Sequence, residues 1–411
     1  MTGSGRMVVV GGLLVAATAL GGAMGKSAAR EPPVRWALDL PKKNRAADGY
    51  RPLEGVEHVE LFHATPERGT YCHHPHIAHH DGAFYAAWSN HARDEDGPGQ
   101  RVYYSTSADG RTWRSFRVCF PALGPTKPHG EMGRVLTANG IVAVEDAVYA
   151  IAEVHDYFGR GHDEAREAVE ARTGRQTRRG RFGWGRLARA IEPDGGLGPA
   201  FWLVPDPPAP IGDAPQFPAS DDPRHADVAK KINALLADPL HMPAWDFRFH
   251  TNWTTAADGH GLCEPSCYRR PDGAVVKLSR DLEQSRRIYA TVSRDGRSFP
   301  PAVRTSIPDA PSKAVSGTLP DGRIYLVGNQ TFGRDPLVIS LSTDGVVFDR
   351  ATSIRHGAPA IRHRGRAKGR GFQYPSIVVA EGALWVIYSV GKEDVAVSHV
   401  PLAALARQAD P

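Results

Sequence analysis

The segment Tyr71–His80 concentrates side chains that can transfer protons. Five of its ten residues are histidines: His73, His74, His76, His79 and His80. The next stretch, Trp88–Asp96, adds His91 and the acidic run Asp94-Glu95-Asp96. Histidine titrates near neutral pH and a carboxyl group can hold or accept a proton, so both types serve as general acids and bases. The two stretches are candidates for proton-transfer chemistry, although surface turns and solvated acidic loops have the same composition.

A second group combines histidine with cysteine. His260, Cys263 and Cys267 are close enough in sequence to form most of a structural zinc site, completed by a distant ligand. The chain has four cysteines, and in an exported protein these favour disulfides, for which three pairings are possible. We expect disulfides or a structural zinc or calcium ion. No cofactor is required, and no nucleotide-binding glycine loop or catalytic serine elbow occurs.

Basic residues cluster in two segments. Arg350–Arg370 contains seven basic residues and no acid, and Arg160–Arg189 is also rich in arginine. Such segments are solvated loops or attract an anionic ligand. No nucleic-acid motif accompanies them, so we expect no nucleic-acid partner.

The N-terminus has the composition of an export signal. After Arg6, residues 7–25 are apolar and small, which predicts a signal peptide over residues 1–29 and a secreted or periplasmic protein. The alternative is an uncleaved N-terminal anchor. We expect an N-terminal extension over residues 30–55, then one catalytic domain over residues 56–411, with no stable membrane span after cleavage and a monomeric state.

The elements that position these residues are short. Forty-three glycines and 33 prolines in 411 residues indicate many strands joined by turns. A turn of the form Ser-x-Asp-Gly-x-x-aromatic occurs three times, at Ser107–Trp113, Ser293–Phe299 and Ser342–Phe348. Asp accepts backbone N–H bonds, Gly tolerates positive φ, and the aromatic anchors the turn.

A second repeat is an acidic residue in a tight turn that opens a strand. It occurs five times, at Asp81, Asp146, Asp272, Asp321 and Glu381. The two repeats predict four-stranded antiparallel blades. With a degenerate blade within residues 196–262, we expect an all-β propeller of six or seven blades. The apolar spacing within residues 224–238 predicts a short helical insertion, and residues 161–181 are expected to form a polar rim loop or lid.

The Ser-x-Asp-Gly turns resemble the Asp-box repeats of the sialidase superfamily of β-propellers, over roughly residues 60 to 400. The resemblance extends to the site residues of the C-terminal half. It implies that Glu264 before Pro265, Arg280, Arg334 and Tyr374 before Pro375 line the substrate site. Lys313 is a further substrate-binding candidate.

The N-terminal half departs from this pattern. Where a sialidase has Arg-Ile-Pro, this chain has His73-His74-Pro75. That change is similar to the propeller polysaccharide lyases, including ulvan lyases and the enzymes that remove rhamnose from glucuronate. The similarity implies two early histidines, a tyrosine and an arginine as the catalytic set, matched here by His73 or His74, His91, Tyr157 and Arg189. Arg186 is an alternative to Arg189.

The resemblance implies an enzyme that acts on an acidic, uronate-containing glycan, an anionic oligo- or polysaccharide. β-Elimination requires neutralisation of the uronate carboxylate, a base and an acid, and the histidines, Tyr157 and Arg189 can supply these functions. We therefore predict a polysaccharide lyase, with removal of rhamnose from glucuronate as the leading reaction. The alternatives are a glycoside hydrolase, either an atypical sialidase or an α-L-rhamnosidase, and a non-catalytic glycan-binding propeller.

Overall fold

The computed structural model describes residues 31–43, 45–124, 133–158, 163–174, 181–208, 215–241 and 254–407. The chain divides into Met1–Glu31 and Pro32–Pro411, and the predicted signal peptide lies outside the described residues. The strands are, in chain order, β1 (Arg35–Trp36), β2 (Glu57–Phe62), β3 (Tyr71–His80), β4 (Ala83–His91), β5 (Arg101–Ser107), β6 (Arg117–Phe120), β7 (Gly133–Val144), β8 (Ala147–Tyr157), β9 (Arg181–Ile191), β10 (Leu197–Trp202), β11 (Thr254–Thr255), β12 (Gly261–Arg269), β13 (Val275–Asp281), β14 (Arg287–Ser293), β15 (Val303–Pro308), β16 (Val315–Thr318), β17 (Ile324–Gly328), β18 (Leu337–Ser342), β19 (Val347–Phe348), β20 (Arg350–Arg355), β21 (Phe372–Ala380), β22 (Ala383–Val390) and β23 (Asp394–Pro401). The helices are a 3₁₀ turn (Ala46–Gly49), α1 (Asp163–Thr173), α2 (Ala226–Ala237) and α3 (Leu402–Ala406).

The described strands form an all-β propeller of five antiparallel blades. The blades are β3-β4-β5-β6, β7-β8-β9-β10, β11-β12-β13-β14-β15, β16-β17-β18-β20 and β21-β22-β23-β2. Neighbouring blades contact each other through the first long strand of each, as in the pairs β21 and β3, β3 and β7, β12 and β16, and β16 and β21. The propeller prediction is confirmed, but the expected six or seven blades were wrong.

The number of blades follows the acidic turns. Each of the five turns joins the first two long strands of one blade. Asp81 and Gly82 have φ values of 48° and 69°, and Glu381 and Gly382 have 50° and 70°, as tight hairpin turns between twisted strands require. Within residues 196–262, where a degenerate blade was expected, β10 completes the second blade, α2 follows, and β11 extends β12. The added blade was therefore a miscount.

The three Asp-box turns have the predicted hydrogen bonds. In the last copy, the Ser342 hydroxyl donates to Asp344 Oδ1 at 2.9 Å, and the backbone N–H groups of Val346 and Val347 donate to the same oxygen at 2.7 and 2.8 Å. Gly345 has a φ of 69°. The equivalent bonds form at Asp109 and Asp295. Each turn follows the third long strand of its blade, so all three lie at the same end of the strands.

The two ends of the chain meet in the last blade. Strand β2 pairs antiparallel with β23, with Glu57 opposite His399, and this pairing completes the blade that β21, β22 and β23 begin. Upstream, β1 pairs in parallel with β19, with Trp36 opposite Phe348. The N-terminal residues therefore contribute to the closure of the ring.

The hydrophobic core lies between adjacent blades. One cluster joins the first and second blades, others join the first and fifth, the fourth and fifth, and the third and fourth. The predicted helix is confirmed as α2, which buries Ala229, Ile232 and Leu236 against the second blade. The predicted polar loop at residues 161–181 contains α1. Among the described residues, no helix has the length and apolar character needed to cross a membrane.

Candidate active site

The first long strands of three blades begin with the same backbone irregularity. His74, Glu264 and Tyr374 each precede a proline and have φ values of 52°, 51° and 56°. Each lies at a β-bulge, where the register of the first strand against its neighbour shifts. A non-glycine residue with positive φ is uncommon, and bulges redirect side chains. The three residues lie at the strand ends opposite the Asp-box turns.

Tyr374, Glu264 and Arg280 form the centre of this site. The Tyr374 hydroxyl donates to Glu264 Oε1 at 2.5 Å. Nη1 of Arg280 lies 3.0 and 3.1 Å from the two Glu264 oxygens and 3.0 Å from the Tyr374 hydroxyl. Burial raises the pKa of Tyr374 well above its usual value, and the Glu264 carboxylate raises it further. The tyrosine is therefore a neutral phenol that shares its proton with a carboxylate.

Two further cations adjoin this centre. The guanidinium of Arg334 lies 5.9 Å from the Tyr374 ring centroid and donates to Gln373 Oε1 and to the Pro311 carbonyl. Lys313 is fully buried, and burial lowers its pKa to about 7, against the effect of Glu264. The expected substrate-binding residues of the C-terminal half therefore lie together.

His73 packs against the tyrosine. Its ring centroid lies 4.1 Å from that of Tyr374. Ser389 donates its hydroxyl proton to the Gln373 carbonyl at 3.3 Å, so it accepts a bond from His73 Nδ1–H at 2.7 Å. This leaves Nε2 as the acceptor, and it makes no hydrogen bond with a described residue. Burial and Lys392 hold the pKa of His73 well below its usual value, so the ring is neutral at pH 7.

His74 contacts a second carboxylate. Its Nε2 lies 3.4 Å from Glu95 Oε1, and Lys392 Nζ lies 2.6 Å from Glu95 Oε2. Burial raises the pKa of Glu95, but Lys392 and His74 outweigh burial and lower it below its usual range. Glu95 is therefore a carboxylate held between an imidazole and an ammonium group. We call Tyr374, Glu264, Arg280, Arg334, Lys313, His73, His74, Glu95 and Lys392 the central cluster.

The parts of the central cluster that a ligand can reach are charged side chains. The Arg280 side chain is 19% exposed and that of Glu95 is 20% exposed, whereas His73 is fully buried. Asp309 lies beside Glu264 and Arg280 in a small cavity. Burial raises its pKa to about 7, and its Oδ1 makes no hydrogen bond with a described residue.

His91 has a different environment from the one expected of a catalytic base. Its Nδ1 accepts a bond from the Asp94 backbone N–H at 3.1 Å, and its Nε2 lies 3.1 Å from the Pro98 carbonyl. Burial lowers its pKa. Both ring nitrogens are thus engaged by the loop that carries Glu95. In this arrangement His91 positions the loop and has no nitrogen left for substrate.

Of the expected second-blade residues, Tyr157 lies near the central cluster. The Tyr157 hydroxyl is 3.4 Å from Asp96 Oδ2, one residue from Glu95. Arg186 Nε donates to Asn139 Oδ1 at 2.6 Å. Arg189, the residue predicted to bind the substrate carboxylate, lies away from the central cluster. Its guanidinium donates to the carbonyls of Gly198 and Cys119 at 2.8 Å each, near the opposite end of β9.

The expected zinc or disulfide group is not assembled. All four cysteines are free and buried. Cys263 and Cys267 are four residues apart on β12, roughly 10–13 Å, which is too far for a disulfide. His260 Nδ1 instead faces Asp281 Oδ1 at 3.0 Å. Burial raises the pKa of Cys267 to about 12.

One group in the central cluster has the composition of a metal site. The ligand atoms of His73, His74 and Glu95 lie within 4.8 Å of one another. The Lys392 ammonium already pairs with Glu95, and a divalent cation would be repelled by it. This group therefore fits an internal ion pair better than a metal.

Lys392 and Asp309 had not been identified from the sequence. Lys392 occupies a turn between β22 and β23 and Asp309 follows β15, so neither is part of a recognisable motif. A signal for the cluster was nevertheless present, because His74-Pro75, Glu264-Pro265 and Tyr374-Pro375 repeat the same residue-proline step.

Two family models match the chain. The model of a BNR repeat-like domain matches residues 224–387. The model of the BT_1020-like, N-terminal beta propeller matches residues 42–248, just over half of the chain. The chain belongs to the BT_1020-like propellers. It is a propeller of the BNR and sialidase-like type, as the Asp-box turns predicted, and no curated protein matches its sequence significantly.

Several solved structures share the fold of this BT_1020-like propeller. A protein titled "Sialidase" is 22% identical with a TM-score of 0.69, over 90% of this chain and 35% of that chain. A protein of unknown function from Dyadobacter fermentans is 13% identical with a TM-score of 0.51, over 85% of this chain and 99% of the other. Trypanosoma rangeli sialidase in complex with sialic acid is 13% identical with a TM-score of 0.50, over 87% and 61%. The chain thus spans about a third of the length of the first of these relatives.

Proposed function

We propose that the protein is a glycoside hydrolase that cleaves the bond of a carboxylated sugar, with Tyr374 as nucleophile and Glu264 as its base. The observation that carries this proposal is the 2.5 Å contact between the Tyr374 hydroxyl and Glu264 Oε1. A nucleophile within hydrogen-bond distance of its base, with a third group orienting the base, is the usual arrangement of covalent catalysis. Arg280 is that third group.

The proposed first step is balanced within the cluster. The Tyr374 oxygen forms a bond to the anomeric carbon, the bond to the leaving oxygen breaks, and the phenol proton passes to Glu264. A carboxylate nucleophile would be repelled by a substrate carboxylate at short range, whereas a neutral phenol is not. Water then hydrolyses the glycosyl-tyrosine, so the overall reaction retains configuration.

The charges of the cluster favour an acidic substrate. Arg280, Arg334 and Lys392 are cationic and Lys313 has a pKa of about 7, against the carboxylates of Glu264 and Glu95. Nε of Arg280 is buried and makes no hydrogen bond with a described residue. A planar guanidinium with donors to spare suits a carboxylate ligand. The solved neighbours titled as sialidases support the same class of substrate.

The proton for the leaving group is assigned to the His74 and Glu95 pair. Glu95 lies in the loop where a sialidase carries its acid or base, and His74 Nε2 lies 3.4 Å from it. The Lys392 contact keeps Glu95 ionised, so Glu95 orients His74, and His74 donates the proton. In the second step His74 takes a proton from the attacking water and Glu264 returns its proton to Tyr374, so both groups regain their starting state.

β-Elimination at a uronate, such as release of rhamnose linked to glucuronate, is the second candidate. The buried acceptor Nε2 of His73 and the position of Tyr157 near Asp96 favour it. It is weakened by His91, whose ring nitrogens bind loop backbone, and by Arg189, which lies away from the cluster. A glycan-binding propeller without turnover is the remaining alternative.

Product analysis separates these functions. The purified protein is incubated with α-glycosides of 2-keto sugar acids, gum arabic and ulvan, and the products are analysed by chromatography and ultraviolet absorbance. Hydrolysis predicts a free sugar acid without unsaturated uronate, and Tyr374→Phe lowers turnover by at least about 10³-fold. The matched control is Tyr388→Phe, a buried tyrosine bonded to Ser398, which retains activity. Unsaturated uronate formed by Tyr374→Phe would instead establish the lyase.

A further inference from the structure

The basic segment Arg350–Arg370 has no role in the proposed reaction. Four of its seven basic side chains have partners within the fold. Arg355 contacts Tyr388, Arg362 pairs with Asp394, Lys368 donates to the Thr70 carbonyl, and Arg370 donates to the Ala358 carbonyl. These contacts fix the course of the loop between β20 and β21.

The loop is attached to the central cluster. The backbone N–H groups of Arg366 and Ala367 both donate to the Asp94 carboxylate, the latter at 3.0 Å. Asp94 precedes Glu95, whose carboxylate contacts His74 and Lys392. The tip of the basic loop is therefore one residue from a member of the central cluster.

Three exposed arginines lie on the two loops that these bonds join. Arg364 and Arg366 lie on the basic loop, and Arg93 lies beside Asp94 on the facing loop. Burial raises the pKa of Asp94, but the backbone N–H bonds outweigh burial and lower it, and the Arg366 charge lowers it further. No described residue forms an ion pair or side-chain hydrogen bond with any of the three guanidinium groups. We call Arg93, Arg364 and Arg366 the arginine rim.

The neighbouring acids neutralise the rim only in part. Asp94 keeps its carboxylate charge beside Arg366, whereas Glu95 pairs with Lys392 and Glu393 pairs with Lys368 at 3.4 Å. Unpaired surface charges act over about 10 Å at moderate ionic strength. The rim therefore extends the positive charge of the central cluster to the surface.

We infer that the arginine rim binds the anionic glycan chain that carries the sugar to be cleaved. This inference rests on the proposed function, because that function decides which part of the substrate, the leaving-group side, lies on the rim. Guanidinium groups bind carboxylates with two parallel donors. The loop from Ala358 to Arg370 contains no tyrosine, tryptophan or phenylalanine, so it lacks the aromatic platforms that stack nucleic-acid bases.

Binding is measured in a protein that cannot turn over, so that the test is independent of the proposed reaction. In the Tyr374→Phe background, Arg93, Arg364 and Arg366 are all changed to Ala, and the Kd for oligogalacturonate is measured by calorimetry at low and high salt. Each exposed charge contact contributes modestly, so we expect the Kd to rise about tenfold at low salt. The salt dependence of binding should also fall.

The matched control removes three charges elsewhere. Arg294, Arg297 and Arg304 are exposed near the Asp-box turn of the third blade, and their triple Ala variant should bind within about twofold of the parent. An equal loss in both triple variants, or no loss in the rim variant, would overturn the inference. Heparin binding is measured in the same variants. If the rim variant lost affinity for heparin while its affinity for oligogalacturonate stayed unchanged, the rim would bind a sulfated glycan and not a carboxylated one, and the inference would be overturned.

Discussion

At the residue scale, the chemistry depends on three side chains held by unusual backbone. His74, Glu264 and Tyr374 have positive φ, and each lies at a bulge next to a proline. Such conformations cost free energy and persist where surrounding structure enforces them. The ladders of three different blades enforce them here, so each side chain is carried by a rigid strand rather than by a flexible loop.

Asp309 gives a residue-scale prediction about pH. Burial raises its pKa in the folded protein to about 7, from an ordinary value near 4. The folded state therefore holds a proton that the unfolded state loses between about pH 4 and 7, so the free energy of unfolding falls as pH rises through this window. Asp309→Asn should remove this fall, up to about 4 kcal/mol.

Urea denaturation at several pH values between 4 and 8 tests this. Asp349→Asn, an exposed aspartate on the fourth blade, is the control and should keep the slope of the parent. Parallel pH profiles for Asp309→Asn and the parent would show that Asp309 is ionised in the folded protein throughout.

The sequence predicted part of the site for identifiable reasons. Glu264, Arg280, Arg334 and Tyr374 were found because the motif places each at a strand end, and register then brings strand ends together. Arg189 lies away from the cluster because it is eight residues into β9, roughly 26 Å along the strand from its start. Lys392 and Asp309 lie beside residues that are far from them in the sequence, and no local pattern encodes such contacts.

At the scale of the element, the Asp-box turn stabilises three of the five blades at the end away from the site. Asp344 accepts bonds from two backbone N–H groups and one hydroxyl. Burial raises its pKa, but these bonds outweigh burial and lower it. Asp344→Ala should lower the free energy of unfolding by about 1–3 kcal/mol at pH 7.

The stabilising effect of Asp344 is present above its usual pKa and is lost as pH falls through the lowered value. The difference between Asp344→Ala and the parent, measured by thermal unfolding, should therefore shrink below about pH 4. Asp349→Ala is the control with an exposed carboxylate outside the turn. A difference that stays constant down to low pH would assign the effect to the backbone and not to the carboxylate.

The turns and the helix were predicted better than the number of blades. Acidic turns and Asp-box turns are local, because two or four residues determine their φ values and hydrogen bonds, and all of them form. The count failed over residues 196–262, where we expected a degenerate blade and the chain forms β10, α2 and β11. The apolar spacing at Ile232 and Leu236 was the stronger signal there, and it correctly predicted α2.

At the scale of the whole molecule, stability depends on closing a ring from two distant parts of the chain. The last blade contains β2 and β23, whose residues are more than 300 positions apart, with Glu57 opposite His399. Two hydrophobic clusters join the fifth blade to its neighbours, the fourth and the first. If β2 separates, the fifth blade loses its outer strand and the contacts of two clusters are weakened.

A disulfide across this closure tests the idea. Glu57→Cys with His399→Cys places two thiols directly opposite each other, and the four native thiols are buried and do not compete. Cross-linking a loop of this length restricts the unfolded chain, so the oxidised protein should gain up to about 5 kcal/mol over its reduced form. The same protein under oxidising and reducing conditions is its own control, with mass spectrometry to establish the bond. Equal melting temperatures for the two forms would mean that β2 remains paired with β23 in the unfolding transition, and that the ring opens between other blades.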